Sequence, residues 1–410
     1  SDTFQAYFAR PFLPFLATLF WISCLLPIHA NGQQVNGLSG WTLFLDPGHS
    51  RTENQGLYRY SEAEKVLRVG LALQEMLLTQ TDIDTVYMSR TNDNQSVSLS
   101  QRTDKANSLG ADFFHSIHSN AGPASVNNTL MLHGGWRSDG ITVEKTPRGG
   151  KLMGDLMIRD LTAAMRIQTI GNYADRNFYQ GSTVRFHDRQ YPYLHVNRES
   201  RMASLLSEAG FHTSPVQQVR NINAQWKRLE AQSHFWSVLA YHELDRPTVG
   251  IATGIVRDAE SEEPINGARI SIAGQEYVTD TYASTFKPYS SDPEELRNGF
   301  YYLETLPNGP ATLMVEADGH YPAILDVTVR DDDFTFTDVD LISSVPPTVT
   351  SVSLPEDEKL NVGRPLVFTF SRAMDRASVE AAISLDPAPD SLRFTWAGDN
   401  SIRVLTDGLE

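Results

Sequence analysis

Three apolar runs in this chain end on a side chain that can do chemistry. "LFLDPGHS" (43–50) delivers His49, "FFHSIHSN" (113–120) delivers His118, and "ASLLSEAG" (203–210) delivers Glu208. A lone histidine at a strand end is more often structural than catalytic, so His49 gains meaning only in company. Side chains alternate across a strand, so His115 and His118 point to opposite faces. His115, with Phe113 and Ile117 on its face, is expected to be a packing residue, whereas His118 shares the end-of-strand placement of His49. A fourth group opens the helical stretch 61–80. There "SEAE" is a capping box that gives Glu64 a structural task. Glu62 instead heads the stripe Val66, Val69, Leu73 and Met76, and a carboxylate buried there is costly unless a cation or strong donors meet it. The plainer reading of Glu62, a first-turn carboxylate favoured by the helix dipole, stays open at this point.

Two imidazoles, a carboxylate and a second carboxylate match the needs of zinc hydrolysis. Three protein ligands leave a position for water, the metal lowers that water's pKa, and the remaining carboxylate takes its proton. The chain has no Gly-x-Ser-x-Gly and no phosphate-binding Gly-rich loop ending in Lys-Ser or Lys-Thr, so no other hydrolytic set competes.

The elements that must position these residues follow from periodicity. Strands are expected at 41–46, 84–90, 111–118, 128–134, 191–196 and 203–210. Helices are expected at 61–80, 98–110, 150–168 and 223–244. Alternation of strands and helices predicts an α/β fold with a mostly parallel sheet and helices on both faces, with ligands bound outside the carboxyl ends of the strands. After "DRPTVG" (245–250) the pattern turns to period-two stretches rich in Thr, Val, Tyr, Gly and Pro, which predicts all-β sandwich domains. The expected division is a signal peptide at 1–30, a catalytic domain at 38–246, a β-sandwich at 249–344 and a further β domain at 346–410, short enough to be incomplete.

A length of 410 residues invites two or three domains, and a net charge of −16 argues against nucleic acid as a partner, since neutralising phosphates needs clustered Lys and Arg. The uncharged stretch Pro11–Ile28 before Ala30 reads as a cleaved secretory signal; Pro14 and Pro27 argue against a spanning helix. No stable membrane insertion is expected after its removal, and the protein is expected to be exported, to the periplasm or the cell surface. The single cysteine, Cys24, lies inside that segment. Any metal must therefore be held by histidines and carboxylates.

The order of "FLDPGHS", a Glu opening the next helix, "SRTNDNQSVSLSQRTDKANSLGADFFHSIHSNA", "ADRNFY" and "LLSEAGFHTS" resembles the zinc-dependent N-acetylmuramoyl-L-alanine amidases of the amidase_3 type, over roughly residues 41–243. The resemblance implies Zn2+ as cofactor, His49, Glu62 and His118 as its ligands, and Glu208 as catalytic base. It implies peptidoglycan as partner and hydrolysis of the amide between N-acetylmuramic acid and L-alanine. Arg102, Asn107 and Asn120 fall on the family's supporting positions. Ser50-Arg51 stand where the family tends to have two glycines, and "GFHTS" where it has "GFISN". Residues 137–150 lie where some relatives cover the zinc; they are read as a solvated loop, with Glu144 as an inhibitory ligand the lesser alternative. The tail resembles a carboxypeptidase regulatory-like β-sandwich followed by the start of a bacterial Ig-like domain, modules through which activator or cell-surface partners could dock. Two other functions stay open: a wall-binding or adhesion protein without activity, and a zinc peptidase acting on another amide.

Overall fold

Strand β1 (Thr42–Pro47) shows why this chain builds a two-sided layer: Leu43 and Leu45 enter one core while Phe44 between them enters another. The computed structural model describes residues 34–179, 190–279, 296–354, 364–386 and 388–407. The expected signal segment and Cys24 lie outside the described residues.

Beyond β1 the order is α1 (Glu62–Gln80), β2 (Thr85–Met88), α2 (Leu99–Leu109), β3 (Phe113–Asn120), β4 (Asn128–His133), β5 (Gly135–Ser138), β6 (Ile141–Glu144), α3 (Gly150–Met165), β7 (Gln168–Ala174), α4 (Asp175–Phe178), α5 (His195–Glu199), β8 (Ala203–Phe211), α6 (Pro215–Ile222) and α7 (Ala224–Tyr241). The main sheet has the order β2-β1-β3-β8-β4-β7. Every pair in it is parallel except β4 with β8. Helices α1, α3 and α7 pack on one face around Val66, Val69, Leu73, Met157 and Phe235, and α2 and α5 cover the other around Ala106 and Val196. This is the expected α/β class with helices on both faces.

Two expectations need correction. Residues 191–196 are not a strand: the backbone amides of Tyr193 and Leu194 donate to the Asp175 carboxylate at 3.0 and 2.9 Å, so no ladder claims them, and α5 begins at His195. Conversely β7 forms an edge strand in a stretch read partly as helix end. Its sequence, QTIGNYA, is largely exposed and carries Gly171 at φ +110, and an exposed edge with a glycine leaves no period-two signature.

The C-terminal part is β-rich. Strand β9 (Val249–Asp258) pairs β12 (Phe300–Pro307), β15 (Phe334–Phe336) and β16 (Val339–Leu341); β10 (Arg269–Ile272), β11 (Gln275–Val278), β13 (Gly309–Glu316) and β14 (Ala323–Val329) form a second sheet. The two sheets share a core that includes Val256, Ile270, Tyr301 and Leu313. The last sheet, β17 (Val349–Val352), β18 (Leu366–Phe370), β20 (Ser401–Asp407) and β19 (Ser391–Trp396), is antiparallel and carries the helix α8 (Arg376–Ala382). Among the described residues no helix is long and apolar enough to cross a membrane.

Candidate metal centre

The ends of β1 and β3 and the first turn of α1 converge. Gly48 lets this happen: a Cβ there would lie 2.3 Å from the His118 ring, so the chain leaving β1 must be glycine to pass beside the imidazole. His49 follows at φ +57, as do Arg51 at +53 and Asn54 at +55. The left-handed region costs a side chain on the order of 1 kcal/mol. A glycine at position 51 would carry no such cost.

Arg102, from α2, holds this turn. Its guanidinium donates to the Asp46 carboxylate at 2.6 Å, to the carbonyl of Pro47 at 2.9 Å, and to the carbonyl of His49. Burial alone would raise the Asp46 pKa, but the Arg102 charge and hydrogen bond hold it below the usual carboxylate range. Asn107 ties α2 to the segment before β8 through the Glu199 carbonyl and the Arg201 amide. The Asn120 side chain accepts from the neighbouring Ala121 amide at 2.8 Å.

Glu62 is 2 % exposed and lies between the two imidazoles. Its Oε2 is 3.1 Å from His49 Nε2, and its Oε1 is 2.9 Å from His118 Nδ1. The Ser119 amide and the Asn54 side-chain amide also donate to it, at 2.8 and 2.9 Å. Burial would raise its pKa, yet hydrogen bonds from His118 and His49 and their charges hold it well below the usual range. One ligand atom from each of His49, Glu62 and His118 falls within 4.8 Å of the others. Two neutral-capable imidazoles and a carboxylate are a donor set suited to zinc. The capping box at Ser61 and Glu64 is present as expected, with Ser61 N donating to Glu64 Oε2 at 3.0 Å. The stripe behind Glu62, Val66 through Met76, is fully buried. Glu62, and not Glu64, is therefore the carboxylate turned to the histidines.

Glu208 pairs in register with His118 across β3 and β8. Its Oε2 is buried and, among the described residues, has no hydrogen-bond partner. Burial and the Glu62 charge push its pKa well above the usual value, while Lys65 pulls it down. An unpartnered buried carboxylate oxygen beside a metal-capable cluster has a task that the protein fold does not supply. A cleft of about 540 Å3, lined by His49, His118, Glu53, Gln101 and His195 among others, leads to the cluster.

His115 lies on the opposite face, as its spacing predicts. Its Nε2 is 2.9 Å from Ser207 Oγ and its ring meets that of His234 edge-on at 4.9 Å. The region 137–150 is a loop only in part: β5 and β6 form a hairpin, residues 145–149 are irregular, and Glu144 accepts from the amides of Arg148 and Lys151 at 2.8 and 3.2 Å. Glu144 thus caps α3 and does not belong to the histidine cluster.

Two groups near the cluster escaped sequence reasoning. His212 Nδ1 donates to the Ser119 carbonyl at 3.0 Å and lies 3.7 Å from Glu62 Oε2; the unusual histidine in "GFHTS" was its only signal. Lys65 forms a fully buried pair with Glu230, 2.7 Å to Oε1, and its charge is felt by Glu208. Nothing in either local sequence announces that pair, because 165 residues separate its members.

Residues 43–238 match the Amidase_3 family model, N-acetylmuramoyl-L-alanine amidase. The chain is 48% identical over 84 residues to the N-acetylmuramoyl-L-alanine amidase CwlM of Bacillus licheniformis, covering 20% of this chain and 32% of that one. It is 42% identical over 173 residues to the sporulation-specific N-acetylmuramoyl-L-alanine amidase of Bacillus subtilis (strain 168), covering 41% and 55%. The chain thus spans from a third to about half the length of these relatives. Among solved structures, the catalytic domain of CwlV, an N-acetylmuramoyl-L-alanine amidase from Bacillus (Paenibacillus) polymyxa var. colistinus, aligns at 21% identity and a TM-score of 0.39, covering 50% of this chain and 99% of that one.

Proposed function

We propose that this protein is a zinc-dependent amidase that hydrolyses the bond between N-acetylmuramic acid and L-alanine in peptidoglycan. The observation that carries the reading is the His49, Glu62 and His118 donor set within 4.8 Å, beside the unpartnered Glu208 carboxylate, inside the stretch that matches the amidase family. His49, Glu62 and His118 hold the metal, and Glu208 is the base. A bound zinc ion supplies Lewis acidity toward water and toward the scissile carbonyl.

The chain's own residues then do the following. Glu208 accepts the proton of the attacking water and passes it to the departing amine of L-alanine. Its raised pKa suits it to hold that proton between the two steps, and a cation in the cluster draws it back toward the ionised form. Glu62, already deprotonated, needs no proton removed before it binds a cation. Arg102 and Gly48 keep the two imidazoles in place, so that binding does not have to order them.

The residues 38–246 form the catalytic unit in this reading. The segments 249–344 and 346–410 act as a carboxypeptidase regulatory-like sandwich and an Ig-like piece that position the enzyme at the wall, with export directed by the leading segment. The test separates metal holding from catalysis. The 410-residue chain should bind about one zinc per chain, and Glu208→Ala should keep that zinc while losing hydrolysis of purified peptidoglycan by about a hundredfold or more. A Glu208→Ala protein that digests peptidoglycan at the parent rate removes Glu208 from the mechanism, and a parent chain that takes up no zinc removes the metal.

A further inference from the structure

A second cavity, of about 360 Å3, opens where α6 and the short turn Leu57–Arg59 meet β9 and the segment before β12. It is lined by Tyr58, Val216, Val219, Arg220, Ile255 and Glu262 among others, and by none of His49, Glu62, His118 or Glu208. A volume of this order suits a small ligand.

Arg220 is the unusual group in its wall. The guanidinium lies over the Trp226 ring at 5.1 Å, and among the described residues it makes no hydrogen bond or ion pair. The other two guanidinium groups of the wall are engaged: Arg257 bonds Asp340 at 3.0 Å and Arg297 bonds Glu263 at 3.3 Å. Burial, and the nearby charges of Arg166 and Arg257 against that of Asp338, push the Arg220 pKa down to about 10. A cation held this way, rigid through stacking and without a protein anion, is a binding group awaiting one.

The lining narrows the class of ligand. A planar guanidinium fork matches a carboxylate with two parallel bonds. Glu262 on the same wall disfavours a dianion such as phosphate and offers a partner for an ammonium group. Val216, 60% exposed, with Val219 and Ile255 gives an apolar wall beside the charge. We propose that this cavity binds a short peptide through its free carboxylate, with Arg220 as the fixed anchor and Val216, Val219 and Ile255 receiving an apolar side chain. Tyr58 belongs to the loop that joins His49 to Glu62, so an occupied cavity touches the same loop that carries the metal cluster.

The proposal is independent of the amide chemistry, and its test uses binding only. Calorimetric titration of the full chain with Ala-Ala-Ala, with its C-terminal amide and with inorganic phosphate distinguishes the sources of the anion. The free acid should bind. The amide, and the acid on Arg220→Gln, should each bind about tenfold more weakly or worse. Val216→Asp, a change at an exposed position that leaves the Trp226 stack intact, should weaken the acid as well. The same binding by His118→Ala keeps this result separate from the amidase reading. Equal binding of acid and amide, phosphate binding tighter than the peptide, no binding of the acid by the parent chain, or unaltered affinity in both Arg220→Gln and Val216→Asp would each overturn the proposal.

Discussion

His115 and His118 stand three residues apart on one strand and meet different fates. Period-two alternation sends His118 to Glu62 and His115 into the core, where it touches Ser207 and His234. Burial pushes the His115 pKa down to about 3 from 6.5. Between those values the unfolded chain takes up a proton that the folded chain refuses, so stability falls as pH drops through this window and is fully present above it. Going from about pH 7 to about pH 5 should remove roughly 2 kcal/mol through this residue alone. His115→Gln, which can still bond Ser207, should flatten that part of the slope, read as denaturant midpoints at the two pH values. An unchanged slope would show that His115 is not refusing a proton. At this scale the placements of His115, His118 and Glu62 were legible because strand and helix periods assign faces. Those of His212 and of Lys65 with Glu230 were not, because the contacts that define them join residues far apart in the chain.

Elements decide whether the cluster holds its shape. The tie between α2 and the end of β1 rests on Arg102, 3 % exposed, which reaches Asp46 and two carbonyls of the His49 turn. Removing one partner of a buried ion pair leaves the other charge without compensation, at a cost of about 3–5 kcal/mol. Arg102→Met should therefore lower unfolding free energy by that amount and weaken zinc uptake, measured on the metal-free protein by denaturation and then by titration with zinc. A change under about 1 kcal/mol would mean that solvent replaces the guanidinium, and the tie would lose its importance. The strongly periodic helices and the buried strands were readable in advance, since their apolar faces repeat. The α5 segment was misread because its backbone amides bind a side chain, Asp175, and no apolar period reports such a bond. The hairpin β5–β6 escaped notice for a related reason: its strands are four residues each and only Gly135 among them is buried.

Across the whole molecule, the change of pattern after Arg246 marks where β structure begins, but the sequence did not disclose how firmly the two parts meet. Trp226 lies edge-on to Phe300 at 5.0 Å and Trp236 against Phe334 at 4.3 Å, while Arg166 grips Asp338 with two bonds of 2.7 and 2.8 Å. One core cluster runs from Val66 through Phe235 to Ile251, Phe300 and Phe334. The signal was present in α7, which is apolar or buried around most of its circumference, as a helix covered on all sides must be. In the proposed function this braced unit would work on a large, fixed polymer. The most direct test of that account is to digest purified peptidoglycan with the zinc-loaded full chain and identify the released fragments by mass spectrometry. Stem peptides with a free L-alanine amino terminus and glycan strands left uncut are the expected products. Cleavage within the peptide or the glycan, or intact peptidoglycan after zinc loading, would contradict it.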